Sequence, residues 1–162
     1  MRRGYSLVEL LVVIAVIALL ASTAVPQLYK YRNIYVYQQY ASSLEMSIRQ
    51  AKLLAMERTT NVGVCIRDSH TVVILDIGTA RGANICNGNT LKTLRIEGTD
   101  ILYMNFTGSG FAFDPRGFAI WSGNACIQNT YEGRSNYLLV CVSRFGGIRT
   151  QRGGGTCPSS CS

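Results

Sequence analysis

YSLVELLVVIAVIALLASTAV, residues 5–25, carries a single charge, Glu9. As a helix this run is roughly 31 Å long, about the thickness of a bilayer's hydrocarbon core. An ordinary anchor has no use for a carboxylate one turn inside its apolar start. A charge in that position costs about 2.5–3.5 kcal/mol even on the gentler insertion scales, so an intramembrane acid implies a function and a partner. An α-amine at the helix N-terminus is one such partner, since it and the positive end of the helix dipole both attract a carboxylate. Ahead of the run stand Met1, Arg2, Arg3 and Gly4. This short basic stub ending in glycine, with so long an apolar run behind it, differs from a secretory signal, whose apolar core spans about 7–15 residues.

Outward from the helix, the 162 residues suit one domain plus an anchor. Without the apolar run roughly 110–130 residues remain, enough for one modest core. The formal charge is +7, and loss of Arg2 and Arg3 takes the side-chain balance to +5. Moderate basicity permits contact with DNA or anionic lipid and establishes neither. Frequent glycine and few charges suit a β-rich, loop-rich head. Cys65, Cys86, Cys126, Cys141, Cys157 and Cys161 all follow the anchor. An even number confined to an exported region reads as disulfides. Proximity along the chain suggests Cys65–Cys86, Cys126–Cys141 and Cys157–Cys161. A zinc site built on Cys157, Cys161 and the lone His70 lacks a second closely spaced ligand pair.

Pro26 removes a helix hydrogen bond and is expected to kink or locally melt the helix. From Gln27 to about Arg58 the pattern turns amphipathic. Leu44, Ile48, Ala51 and Ala55 recur at helical spacing, opposite Glu45, Arg49, Lys52 and Arg58. Tyr29, Tyr37 and Tyr40 fall on one side of that helix, Tyr31 and Tyr35 on nearly the other. One side is expected to meet the head and the other neighbouring subunits, with the tyrosines nearest Pro26 at headgroup level. After Asn61 the period becomes strand-like: 62–66, 71–76, 91–96, 101–106, 110–113, 118–121, 137–143 and 148–152 read as strands. Arg67 to His70 reads as a tight hairpin loop, and Gly78 to Asn89 as a longer loop that Cys86 can pin. Asp114-Pro115-Arg116-Gly117 has the composition of a type I turn. The tail from Gly153 to Ser162 is expected to be mobile unless its two cysteines hold it.

Several of these stretches resemble a known family. Gly4-Tyr5-Ser6-Leu7-Val8-Glu9-Leu10-Leu11 is similar to the prepilin-peptidase motif of type IV pilins and pseudopilins, with Tyr5 where Phe is usual. The passages Ser47-Ile48-Arg49-Gln50-Ala51-Lys52, Ala55-Met56-Glu57-Arg58 and Val62-Gly63-Val64-Cys65 resemble the helix-into-strand region of the GspH/FimT family. Phe113 to Gly117 resembles its hairpin turn, and Val142 to Arg149 its closing segment. The resemblance implies cleavage after Gly4, methylation of Tyr5, and Glu9 paired with the Tyr5 amine of its own or a neighbouring chain. It implies an α+β pilin fold, a long N-terminal helix packed on an antiparallel β-sheet head. In that reading residues 1–4 are the leader, 5–25 the membrane and filament-core helix, 26–58 its amphipathic continuation, and 59–162 the head.

The resemblance further implies a minor pseudopilin of type II secretion or a minor type IV pilin. Such a chain is single-pass in the bacterial inner membrane, with its head outside the cytoplasm, and enters a filament. The implied partners are other pilins or pseudopilins, the prepilin peptidase and the inner-membrane assembly platform. No cofactor, metal or catalysis is implied. The consecutive Asp68-Ser69-His70 invites an enzymatic reading, but catalytic triads converge from separate elements. Some FimT-like members bind DNA through arginines of the closing segment, so the resemblance carries an alternative, a DNA-binding minor pilin for DNA uptake in natural transformation. Here Gly147 replaces the first of those arginines, leaving Arg149, with Arg144 and Arg152 nearby as further candidate phosphate contacts.

Overall fold

A computed structural model of the chain describes residues 6–80, 84–97, 102–131 and 133–161. Gly4 and Tyr5 lie outside these residues, as does Ile101 of the fourth expected strand. The chain divides into two compact units, Met1–Gln38 and Gln39–Ser162. The first consists of the leading part of one long helix, α1 (Leu7–Arg58). No glycine occurs in α1, and its straight-chain and aliphatic residues favour the helix.

Pro26 does not melt the helix: α1 runs through it as a single 52-residue element. A proline costs the carbonyl four residues earlier its donor, a local loss that the hydrogen bonds on either side outlast. Polar groups close by are satisfied within the helix. Ser22 donates its hydroxyl to the Leu19 carbonyl (2.8 Å) and Thr23 to that of Leu20 (3.0 Å). Hydroxyls of this kind are among the devices that let apolar helices carry proline. The helix ends at Thr59, whose φ of 53° is left-handed and stops propagation.

In the second unit, the end of α1 buries Ala41, Leu44, Ser47, Ile48, Ala51 and Ala55, one stripe at helical spacing. Among the described residues, nine antiparallel strands follow. β1 (Asn61–Asp68), β2 (Thr71–Gly78), β3 (Asn89–Arg95), β5 (Gly110–Phe113) and β6 (Ala119–Trp121) make a sheet in the order β3-β2-β1-β5-β6. β4 (Leu102–Phe106), β7 (Gly123–Tyr131), β8 (Arg134–Val142) and β9 (Ile148–Gly154) make a second, ordered β4-β7-β8-β9. Phe106 of β4 stacks on Phe111 of β5 at 5.7 Å, and Phe111 meets Phe113 edge-on at 6.0 Å, which ties the sheets together.

Which face meets the helix follows from register. Lys92 of β3 opposes Ile74 of β2, and its ammonium donates to Gln50 Oε1 of α1 at 2.7 Å. The row containing Ile74 and Val64 therefore faces α1, and both are buried with Leu44 and Ile48. The opposite face of β1 and β2 is capped by residues of the β2–β3 loop. Gly63 has no Cβ because one would lie 2.2 Å from the Ile85 carbonyl oxygen. That close approach brings Ile85 and Cys86 over Cys65, Val73 and Leu75.

The sequence reading has no strand at 123–131, yet β7 is an interior strand of the second sheet, between β4 and β8. Its Asn124, Gln128 and Asn129 suggest a loop, but all three are buried. The polarity of Asn124 and Gln128 answers to a partner more than twenty residues away, described below, whereas the buried Asn129 Oδ1 has no hydrogen-bond partner among the described residues.

Truncating the buried helix stripe tests this packing. Leu44→Ala should destabilise the head by about 2–5 kcal/mol, whereas Leu53→Ala, on the exposed side of the same helix, should cost less than about 0.5 kcal/mol. Urea melts of the full chain in detergent, followed by tyrosine and tryptophan near-UV dichroism, separate the two. Equal losses would place the core elsewhere.

Candidate functional site: the uncovered helix and the stapled head

Glu9 lies in the first turn of α1, where Leu10 N–H already donates to the Ser6 carbonyl at 3.2 Å. An acid there complements the positive end of the helix dipole. Around it, Leu7, Val8, Leu10, Leu11, Val12, Val13 and Ile14 are all exposed. Among the described residues, α1 is the helix long and apolar enough to cross a membrane. An apolar surface this continuous exceeds what a soluble monomer leaves in water, and marks a membrane or protein contact. Tyr29, Tyr31 and Tyr35 of the same unit are exposed as well. The expectation that Tyr29 is covered together with Tyr40 does not hold. Tyr40 belongs to the head unit, where its hydroxyl accepts from Glu97 N–H at 3.2 Å.

On the head, all six cysteines are oxidised. Cys65 is bonded to Cys86, Cys126 to Cys157 and Cys141 to Cys161. The expected Cys126–Cys141 and Cys157–Cys161 pairs are incorrect, and sheet register gives the reason. Cys126 opposes Leu139, and Cys141 opposes Asn124. The two thiols thus share a face but sit diagonally, at a spacing of about 7–8 Å, too far for a disulfide without backbone movement. The tail supplies a partner for each.

These two bonds turn the glycine-rich tail into a strap over the outer face of β7 and β8. Gln128 Oε1 accepts from Cys157 N–H at 2.9 Å, while its amide donates to Thr130 Oγ1 at 3.2 Å. Asn124 donates to the Ser159 carbonyl at 3.1 Å, and its Oδ1 takes the Thr107 hydroxyl. Gly155 N–H donates to the Ser135 carbonyl at 2.8 Å. Tyr137, opposite Gly153 in the register, lies so close that a Cβ there would fall 2.6 Å from its hydroxyl. The ring thus packs over a strand residue with no side chain, beside Leu139 and the Cys126–Cys157 bond. Asn124 and Gln128 of β7 are hydrogen-bonding sockets for the strap.

The candidate phosphate contacts do not form one ridge. Arg149 opposes Cys141 on the strap side of the sheet, and Arg152 opposes Leu138 on the other. Arg144 sits in the β8–β9 loop, and all three side chains are exposed. Charge along an edge strand also discourages pairing with further chains.

In the Asp68-Ser69-His70 trio, Ser69 and His70 form a two-residue hairpin turn, with Asp68 at the end of β1 opposite Thr71. Asp68 Oδ1 accepts from the His70 backbone N–H at 2.8 Å, which holds its carboxyl below the usual range. The carboxylate is spent on the turn, and the imidazole meets the neighbouring Ser69 hydroxyl at 2.8 Å. At the second turn Asp114 Oδ1 accepts from Arg116 and Phe118 N–H, both at 2.9 Å, with Gly117 at a φ of 80°.

Residues 1–25 match the prokaryotic N-terminal methylation motif. No curated protein sequence aligns significantly with the chain. Among solved structures it is similar to the type IV minor pilin FimU of Pseudomonas aeruginosa PAO1, at 17% identity and a TM-score of 0.53, over 76% of this chain and 92% of that one. It is also similar to the minor pseudopilin EpsH of the Vibrio cholerae type 2 secretion system. There the identity is 14% and the TM-score 0.50, over 70% of this chain and 94% of that one. At these identities the likeness is one of fold, and the motif adds the chemistry of the N-terminus.

Removing a strap socket tests the tail's attachment. Gln128→Ala should leave the Cys157 amide unpaired, cost about 1–3 kcal/mol, and speed amide exchange over residues 155–161 with all three disulfides intact. Unchanged exchange in that segment would mean that the disulfides alone hold the tail.

Proposed function

Taking a type IV pilin-like fold with a methylation motif at its head as the premise, we propose that the chain is a minor pilin or pseudopilin, a structural subunit of a secretion pseudopilus or type IV pilus. The observation that carries this reading is the exposed apolar surface of α1 with Glu9 in its first turn. In the inner membrane, lipid covers that surface; in a filament, the same helices of neighbouring subunits cover it. In this reading the prepilin peptidase cuts after Gly4, Tyr5 becomes the methylated N-terminus, and the assembly platform lifts the helix from the bilayer.

Glu9 then selects between the two environments. An unpaired carboxylate costs about 2.5–3.5 kcal/mol at the bilayer centre. A neighbour's Tyr5 amine removes that cost and fixes the axial stagger of the two helices. The acid therefore favours the filament over the lone anchor. Exposed Tyr31 and Tyr35 further along suit packing against other subunits, where tyrosine is enriched. The DNA-uptake reading would draw on Arg144, Arg149 and Arg152, whose placement on both faces of the sheet gives a weaker phosphate track than a common face.

Two variants test the reading in cells that make the filament. Glu9→Leu should insert in the membrane at the wild-type level and be absent from sheared filaments. Gly4→Leu should keep its leader, seen as a heavier intact mass with an unmethylated N-terminus. Wild-type incorporation of Glu9→Leu would remove the docking role, and a native N-terminus at Met1 would remove the filament assignment.

A further inference from the structure

The β8–β9 loop presents an aromatic side chain on an unusually well-tied support. Ser143 N–H donates to the Gly147 carbonyl at 2.9 Å, Gly146 N–H to the Ser143 carbonyl at 2.9 Å, and Gly147 N–H to Ser143 Oγ at 3.1 Å. Two further bonds hold the loop from behind. Lys52 of α1 donates to the Gly146 carbonyl at 2.9 Å, and Ala119 N–H to the Arg144 carbonyl at 3.1 Å. Gly146, at a φ of 70°, lies against the Asp114–Phe118 turn so closely that a Cβ would fall 1.8 Å from the Gly117 oxygen. Helix, turn and loop are locked together at this corner.

On this support Phe145 is 83% exposed, and Phe118 on the adjoining turn is 45% exposed. A rigid, protruding aromatic gives up little conformational freedom on binding, which is the character of an interface anchor. Beside Phe145 lies a groove of about 720 Å³, lined by Gly147, Arg149, Thr150 and the Cys141–Cys161 bond. Arg149 lines the groove, Arg144 precedes Phe145 in the loop and Arg116 lies on the adjoining turn; among the described residues none of the three is in an ion pair.

We propose that this corner docks a different, acidic protein, which packs an aliphatic side chain into the groove beside Phe145 and sets carboxylates against Arg144 and Arg149. The charge pattern selects the occupant. A second copy carries the same formal charge of +7 and would bring like charge to a basic rim. A nucleic acid strand calls for cations along its track and successive stacking platforms, whereas Arg149 and Arg152 lie on opposite faces of β9. Arginines outside any ion pair, beside an exposed aromatic, match carboxylates that approach bidentately. The inference stands on the head alone and does not require a filament.

The test places p-benzoyl-phenylalanine at position 145 of the full chain in its native host, with a probe at exposed Asn136 as the control. Irradiated membranes and sheared filaments are analysed by peptide mass spectrometry. The expected adduct joins position 145 to an Asp/Glu-rich segment of another polypeptide. Its yield should fall at least ten-fold with Arg144→Glu and Arg149→Glu together and persist with Lys at both positions, all three disulfides remaining intact by peptide mapping. Adducts confined to this chain, to DNA or to lipid would overturn the proposal. So would a yield no greater than at Asn136, or one indifferent to charge reversal. An adduct that persists when Glu9→Leu excludes the chain from filaments would separate this interface from assembly through α1.

Discussion

The chain makes an apolar surface that it does not cover. The exposed leucines, valines and isoleucines on the leading part of α1 must be taken out of water by lipid or by other helices. This requirement gives the lone carboxylate its significance. In lipid an unpaired Glu9 carboxylate is a penalty, and in the proposed filament a neighbouring amine would relieve it. On that proposal small differences in pairing decide between lipid and filament.

The head meets a related problem by a different route. Its two sheets present the usual inner faces to each other and to the end of α1, but their outer faces are also largely apolar. Cys65, Val73 and Leu75 on one, and Cys126, Tyr137 and Leu139 on the other, are buried. A short loop covers the first and the C-terminal strap covers the second, each fixed by disulfides. Cross-links over 21, 31 and 20 residues each remove chain entropy from the unfolded state, on the order of 3 kcal/mol per bond in the chain-entropy account. A head of this size gains appreciably from such staples.

The helix and eight strands were legible from sequence because hydropathy and β-branching act locally. Val62 to Ile66 and Thr71 to Asp76 announce strands wherever they occur. The ninth, β7, was not legible. Asn124 and Gln128 read as loop residues until the tail supplies Ser159 and Cys157 as their partners. Of the expected disulfides Cys65–Cys86 forms, but the pairings of the other four cysteines were not legible, since strand register rather than sequence distance decides which sulfurs meet. The arginines were legible as a basic cluster, but their faces were not, because an odd spacing along a strand sends Arg149 and Arg152 to opposite sides. The uncovered helix and Glu9 could be read directly, being properties of one continuous segment. The Phe145 corner could not, because Lys52, Gly117 and Gly146 meet only in three dimensions.

The strap also fixes an order of events. β7 and β8 can pair as soon as both have left the ribosome, but their outer surface stays bare until Cys157 and Cys161 arrive. During that interval Tyr137 and Leu139 form a sticky patch on a sheet whose edges are still open. The maturing chain is thus most exposed to clumping just before its tail locks down.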